Sequence, residues 1–282
     1  MSVKLLSLHA SYKCNLKCPF CYNQDKRYDL DLQKRPKEWF YGFPKVCSEL
    51  GIRQIACGGG EPALDLKFIE EMVQECKRYG VKLNITTNGR TLKEGIEGVT
   101  LVSNSIDVYK QPNAEALVET MDNVKKISET NLVGINLLLS DNIVKQLSVH
   151  AKYFLSKADF LYILQPKPNT LHFDLKKLRM TLLALSALYP ARLYVDDSLK
   201  LSLGMEESCG RGRDLVSIGA DGSVSSCSFD KPFTYLETPE DLKTMLHEDY
   251  PMVPTKTCPF LGEGFTPLAS IGESVMGRGM PC

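Results

Sequence analysis

Cys14, Cys18 and Cys21 stand four and three residues apart in the stretch Cys14-Asn15-Leu16-Lys17-Cys18-Pro19-Phe20-Cys21, just after an apolar run at 5–8. Three thiolates on so short an arc can hold three corners of a four-iron cluster, and no fourth cysteine lies close by to close it. One iron is then left open, and an open iron can bind a small ligand and pass it an electron. The alternative is zinc, which in a structural site wants four protein ligands and would have to draw its fourth from far along the chain. A second group of thiols, Cys209, Cys227, Cys258 and Cys282, has the count for one further four-iron cluster or for a structural zinc. Cys47 and Cys76 fall on apolar helix faces and read as small buried hydrophobes.

The elements that must position these groups alternate. Apolar patterning predicts strands at 5–8, 52–57, 81–86, 100–107, 132–139 and 160–164. Helices are expected at 36–50 with an interruption at Pro44, from Asp65 to a stop at Gly80, weakly from Thr91, and at 113–129, 142–155 and 175–188. Strands that are each followed by a helix give an α/β fold, a parallel sheet curved into a partial (β/α)6 barrel, because right-handed crossovers put every helix on the outer side. The cysteine loop follows the first strand, Gly58-Gly59-Gly60-Glu61-Pro62 the second and Thr87-Asn88-Gly89 the third, so all three gather at one end of the barrel. Near Tyr189-Pro190 the chain turns to glycine, serine and proline, and Asp221-Gly222 predicts a two-residue hairpin between 215–218 and Val224. A short helix is expected around 241–247. The chain thus divides into a barrel at 1–195 and a small hairpin-containing domain at 196–282.

Composition narrows the partners. With 34 basic and 34 acidic residues among 282, nothing in the charge favours nucleic acid or an anionic membrane surface. No run approaches the roughly 20 apolar residues of a membrane span, and the first ten residues lack a leader pattern, so a cytoplasmic protein is expected. Ten cysteines in a reducing compartment point to metal binding rather than to a disulfide framework.

The first cysteine stretch resembles the Cys-x3-Cys-x-aromatic-Cys signature of the radical S-adenosylmethionine (SAM) superfamily, with Phe20 as the aromatic. Gly59-Gly60-Glu61-Pro62 resembles that superfamily's Gly-Gly-Glu-Pro motif, and Thr87-Asn88-Gly89 is similar to one of its turns. The resemblance implies a 4Fe-4S cluster on Cys14, Cys18 and Cys21 and a SAM molecule whose amino group meets backbone carbonyls of Gly58, Gly59, Gly60 and Glu61, glycines allowing the close approach. SAM would be split to methionine and a 5′-deoxyadenosyl radical that removes hydrogen from a substrate. Ser103, Ser105 and Asp107 on the fourth strand, Asn136 on the fifth and Gln165 after the sixth are the remaining polar candidates for ribose, carboxylate and adenine contacts. Cys57, which ends the second strand, is either core packing or a hydrogen-atom donor. The late cysteines resemble the SPASM/Twitch auxiliary-cluster domain, which implies a second 4Fe-4S cluster on Cys209, Cys227, Cys258 and Cys282. The implied substrate is a peptide in natural-product maturation, with a separate recognition protein because only 13 residues precede Cys14, and with flavodoxin or ferredoxin as the reducing partner. The alternatives are a small-molecule dehydrogenase or cyclase and, in another class, an iron-sulfur electron carrier. The glycine motif speaks against the carrier, since electron transfer needs no site for an amino-acid moiety.

Overall fold

Strand β1 (Leu5–Leu8) is buried along its whole length, as an apolar run flanked on both sides should be. The computed structural model to which it belongs describes residues 3–23, 35–168, 172, 174–206, 209–248 and 258–261. Helices α1 (Lys37–Phe40) and α2 (Phe43–Leu50) follow. The break between them falls at Gly42, not at Pro44, which sits in the first turn of α2 where its missing N–H does no harm. Gly51 ends α2 with φ 74°. Next come β2 (Gln54–Cys57), a 3-10 turn at Pro62–Leu64, and α3 (Leu66–Tyr79), capped by the Asp65 carboxylate on the Phe68 N–H and closed by Gly80.

β3 (Lys82–Thr87) and β4 (Leu101–Ile106) are joined by a segment without the helix expected from Thr91. There Asn131 holds the chain instead: its oxygen accepts from Ile96 N–H and its amide donates to the carbonyls of Ile96 and Val99. After α4 (Ala114–Ile127) and β5 (Leu132–Leu138), the helix expected at 142–155 divides at Gln146 into α5 (Asp141–Lys145) and α6 (Leu147–Leu155). β6 (Phe160–Leu164) and α7 (Leu175–Leu188) match expectation, but a further strand, β7 (Leu193–Val195), and helix α8 (Asp197–Ser202) extend the alternation.

The chain then returns to the opposite edge. β8 (Leu215–Ile218) lies parallel to β1, pairing Leu5 with Leu215 and Leu8 with Ile218, while β9 (Ser223–Ser225) and β10 (Thr234–Tyr235) run on antiparallel. The sheet order is β10-β9-β8-β1-β2-β3-β4-β5-β6-β7, parallel from β8 to β7 and not closed. The hairpin forms, but with a longer turn than expected. Gly219 N–H donates to Ser223 O, Gly222 N–H to Gly219 O, and only Gly222 of the Asp221-Gly222 pair has positive φ. Helix α9 (Asp241–Glu248) packs back on α2. Among the described residues no helix is long and apolar enough to cross a membrane.

Candidate active site

The first cysteine loop is laid out by backbone pairing that continues past β1 and β2. Gly58 N–H donates to Leu8 O, Gly60 N–H to Ser11 O and Glu61 N–H to Lys13 O, each near 2.8–2.9 Å. The glycines are required for this ladder. A Cβ on Gly60 would stand 1.8 Å from Lys13 O, and one on Gly59 would stand 2.5 Å from Ser11 O. These two residues thus permit close approach to the cysteine loop, and both also line the cavity described below. Gly58 lines it too, but a Cβ there meets nothing within 4 Å.

Glu61 is occupied as well. Its carboxylate accepts from Ala63 N–H at 3.0 Å, Thr87 Oγ1–H at 2.8 Å and Asn88 N–H at 2.7 Å. Burial pushes its pKa up, and these donors pull it part of the way back. Asn88 ties three loops together. Beyond its N–H to Glu61, its side-chain amide donates to Asn15 Oδ1 at 2.8 Å, its Oδ1 accepts from Arg90 N–H, and its carbonyl accepts from Gln111 Nε2. Asn88 is itself only 5% exposed, and Asn88→Ala removes its side-chain bonds to exposed Asn15 on the cysteine loop and to the half-buried Arg90 N–H of the β3 turn. A loss of about 1–3 kcal/mol in unfolding free energy is expected by chemical denaturation. An unchanged denaturation midpoint would remove Asn88 from this role.

Cys14, Cys18 and Cys21 line one cavity of ≈ 360 Å³ together with Gly58, Gly59, Gly60 and Glu61. The cysteines are free thiols. Cys21 N–H donates to Cys18 O, and Leu16 N–H is directed at Cys14 Sγ at 3.4 Å. Burial raises the Cys18 pKa, the nearby Lys110 ammonium lowers it, and the Cys21 and Cys14 sulfurs are close enough to raise it again. Cys209, Cys227 and Cys258 line the same cavity as a second group, each desolvated by burial, with Cys258 and Cys227 acting on Cys209 and Cys258 on Cys227. Burial raises the pKa of all three thiols, and a backbone N–H two residues further on, of Arg211, Phe229 and Phe260 respectively, pulls each part of the way back. Donors of this kind favour the thiolate, the form that ligates metal. Among the described residues no three His, Cys, Asp or Glu side chains converge tightly enough for a single ion. Cys282 lies outside the described residues.

Of the polar candidates, Ser105, Asp107, Asn136 and Gln165 line the same cavity, as does Phe20. Asp107 is committed to its own turn, accepting from Tyr109 N–H and Lys110 N–H and pairing with Lys110 Nζ at 2.5 Å, while that ammonium covers the Phe20 ring at 5.1 Å. Ser103 shares a strand face with Ser105 but is buried outside the cavity lining. Cys57 packs into the core at 1% exposure, its pKa pushed up to about 12 by burial, and does not line the cavity. Strand alternation explains this, because the cavity takes Ala56 and Gly58 from the other face of β2. Residues without a sequence signal also line the site: His9, Tyr22, Lys110, Lys167 and Phe229. Tyr22 and Phe229 lie one and two residues beyond cysteines, a spacing that could have marked them. Tyr12, fully buried, joins the cysteine loop to the hairpin turn, its OH accepting from Ala220 N–H; burial, helped by the Asp221 charge, pushes it up to about 12.

Several comparisons bear on this site. A probable GTP 3',8-cyclase of Thermococcus kodakarensis is 31% identical over 142 residues, 45% of this chain and 46% of the relative. A tungsten-containing aldehyde ferredoxin oxidoreductase cofactor-modifying protein of Pyrococcus furiosus is 30% identical over 182 residues, 55% of this chain and 49% of the relative. The chain thus spans about half the length of the curated relatives it matches. The crystal structure of Streptococcus suis SuiB bound to S-adenosylmethionine has the same fold, with TM-score 0.66 at 17% identity over 92% of this chain and 67% of that chain. The Radical SAM superfamily model matches residues 9–144. Those residues, which carry the first cysteine group, the glycine turn and Asn88, are similar to the Radical SAM superfamily domain.

Proposed function

We propose that this chain is a radical SAM enzyme that modifies a peptide, with a 4Fe-4S cluster on Cys14, Cys18 and Cys21 and an auxiliary one on the group around Cys209, Cys227 and Cys258. The observation that carries this is that one cavity is lined by both cysteine groups and by the Gly58 turn. When bound, the first cluster supplies the electron that splits SAM, and the adenosyl fragment removes a hydrogen atom from the substrate. The chain's own part is to hold these groups in place. Gly58 offers an unobstructed backbone edge to the amino-acid end of SAM, and the β1–β2 ladder fixes the cysteine loop.

Charge supports an uncharged substrate. Cavity-lining Lys110, Lys167 and Arg211 are each paired with a carboxylate, Asp107 at 2.5 Å, Asp196 at 2.8 Å and Asp230 at 3.3 Å. Asp197 is likewise paired, with Lys200 at 3.8 Å, and accepts from Gly210 N–H. A polyanion such as a nucleoside triphosphate would have to displace those partners, whereas a peptide segment would not. A small-molecule cyclase is the second reading, favoured by the names of several relatives. Flavodoxin or ferredoxin would supply the electron, and a separate protein would present the peptide. Anaerobically reconstituted protein is expected to bind about eight irons and to form 5′-deoxyadenosine from SAM under dithionite. Absence of 5′-deoxyadenosine from iron-replete protein would sink the proposal, and acceleration by GTP would replace the peptide reading with the cyclase one.

A further inference from the structure

Tyr22 and Phe229 line the cavity at 38% and 37% exposure, although the chain buries Phe40 and Phe43 to 1% or less elsewhere. The two rings lie 4.9 Å apart between centroids and tilted by 47°. They continue into a row, with His9 5.6 Å from Tyr22 on one side and Phe260 6.1 Å from Phe229 on the other. The row spans the cavity from the first cysteine group to the second.

Its members are not free to collapse onto one another. Tyr22 is bonded directly to Cys21, and its OH lies 3.5 Å from His9 Nε2. Phe229 packs between the rings of Tyr22 and Phe260. Lys167 stands 5.0 Å from the Phe229 centroid and Arg211 5.7 Å from that of Phe260, each anchored by its carboxylate. The outcome is a rigid aromatic shelf with neutral surroundings, open to the cavity. Apolar ring surface held apart in a concave site is stabilised when a planar apolar group covers it.

We propose that this shelf is the subsite for an aromatic side chain of the peptide substrate, which lies against Tyr22 and Phe229 between the two cysteine groups. The inference rests on the radical SAM peptide reading and names the kind of residue that reading leaves open. A nucleobase would offer a similar ring, but its phosphates would meet cations already paired with carboxylates.

The test uses the reconstituted holoprotein with N-acetylphenylalanine methylamide, N-acetylalanine methylamide and GTP as probes, followed by saturation-transfer NMR under anaerobic conditions. The phenylalanine probe is expected to bind about tenfold more tightly than the alanine probe, and Phe229→Ala is expected to abolish that preference. Should Phe229→Ala fail to take up iron, Phe229→Ser and Tyr22→Leu carry the same comparison. Equal binding of the two capped residues, a preference that survives every ring substitution, or ring-dependent binding of GTP in place of the phenylalanine probe overturns the inference. Formation of 5′-deoxyadenosine is measured on the same samples. If it persists while the preference is missing, only the shelf assignment falls; if wild-type protein forms none, the underlying reading falls first.

Discussion

Gly60→Ala is expected to strip the first cluster and, with it, SAM binding. The added Cβ would stand 1.8 Å from Lys13 O and 2.5 Å from Lys13 C, backbone atoms that cannot rotate away as a side-chain end can. Lys13 immediately precedes Cys14, and the hydrogen bonds from Gly60 to Ser11 O and from Glu61 to Lys13 O hold that stretch in place. Relief of the clash therefore moves the cysteine. Iron per chain should fall by about half and SAM affinity by more than about a hundredfold, equivalent to more than about 2.8 kcal/mol. Gly58→Ala is the matched contrast, because its Cβ meets nothing within 4 Å and its φ is not positive. It should keep its iron and lose SAM affinity by about tenfold if the ligand passes close to that edge. Full iron and undiminished SAM binding in Gly60→Ala would show that the loop adjusts and that the ladder is dispensable.

The second large effect is expected from replacing Cys14, Cys18 and Cys21 together with alanine, which should leave about half of the iron and no 5′-deoxyadenosine. The two sets of thiols are separate: Cys14 and Cys21 act on Cys18, while Cys227 and Cys258 act on Cys209. The reciprocal variant, with Cys209, Cys227 and Cys258 replaced, should also lose about half of its iron while still cleaving SAM. Continued 5′-deoxyadenosine formation by the first triple variant would show that the cluster reacting with SAM is held elsewhere.

Much of this site was legible because it is written locally. The spacing of Cys14, Cys18 and Cys21 and the strand-turn punctuation at Gly58 to Glu61 are short-range patterns, and six strands followed from apolar runs. β7 was missed because Leu193–Val195 is too short to show a period. The bracing role of Asn88 was missed because its partner Asn15 is 73 residues away, and no local pattern encodes such a bond. Close approach at Gly60 was read from its residue type, but its partner, Lys13 O, became visible only with the fold. Cys57 illustrates the opposite case: position at a strand end suggested the cavity, and the parity of the strand sent it to the core.

The placement of β1 between β2 and β8 also has a consequence for biosynthesis. A nascent chain can pair β1 with β2 once about the first sixty residues have left the ribosome, yet the other edge of β1 stays open until Leu215–Ile218 emerges. Through that interval an apolar strand edge, Leu5–Leu8, is available to any other strand. At typical elongation rates of about 5–20 residues per second, the gap lasts on the order of ten seconds or more. Iron delivered early would reach Cys14, Cys18 and Cys21 while the loop that carries them still hangs from a half-paired strand, so cluster insertion is best timed after release. A chaperone that covers the β1 edge during translation would then protect the metal site and the strand by the same contact.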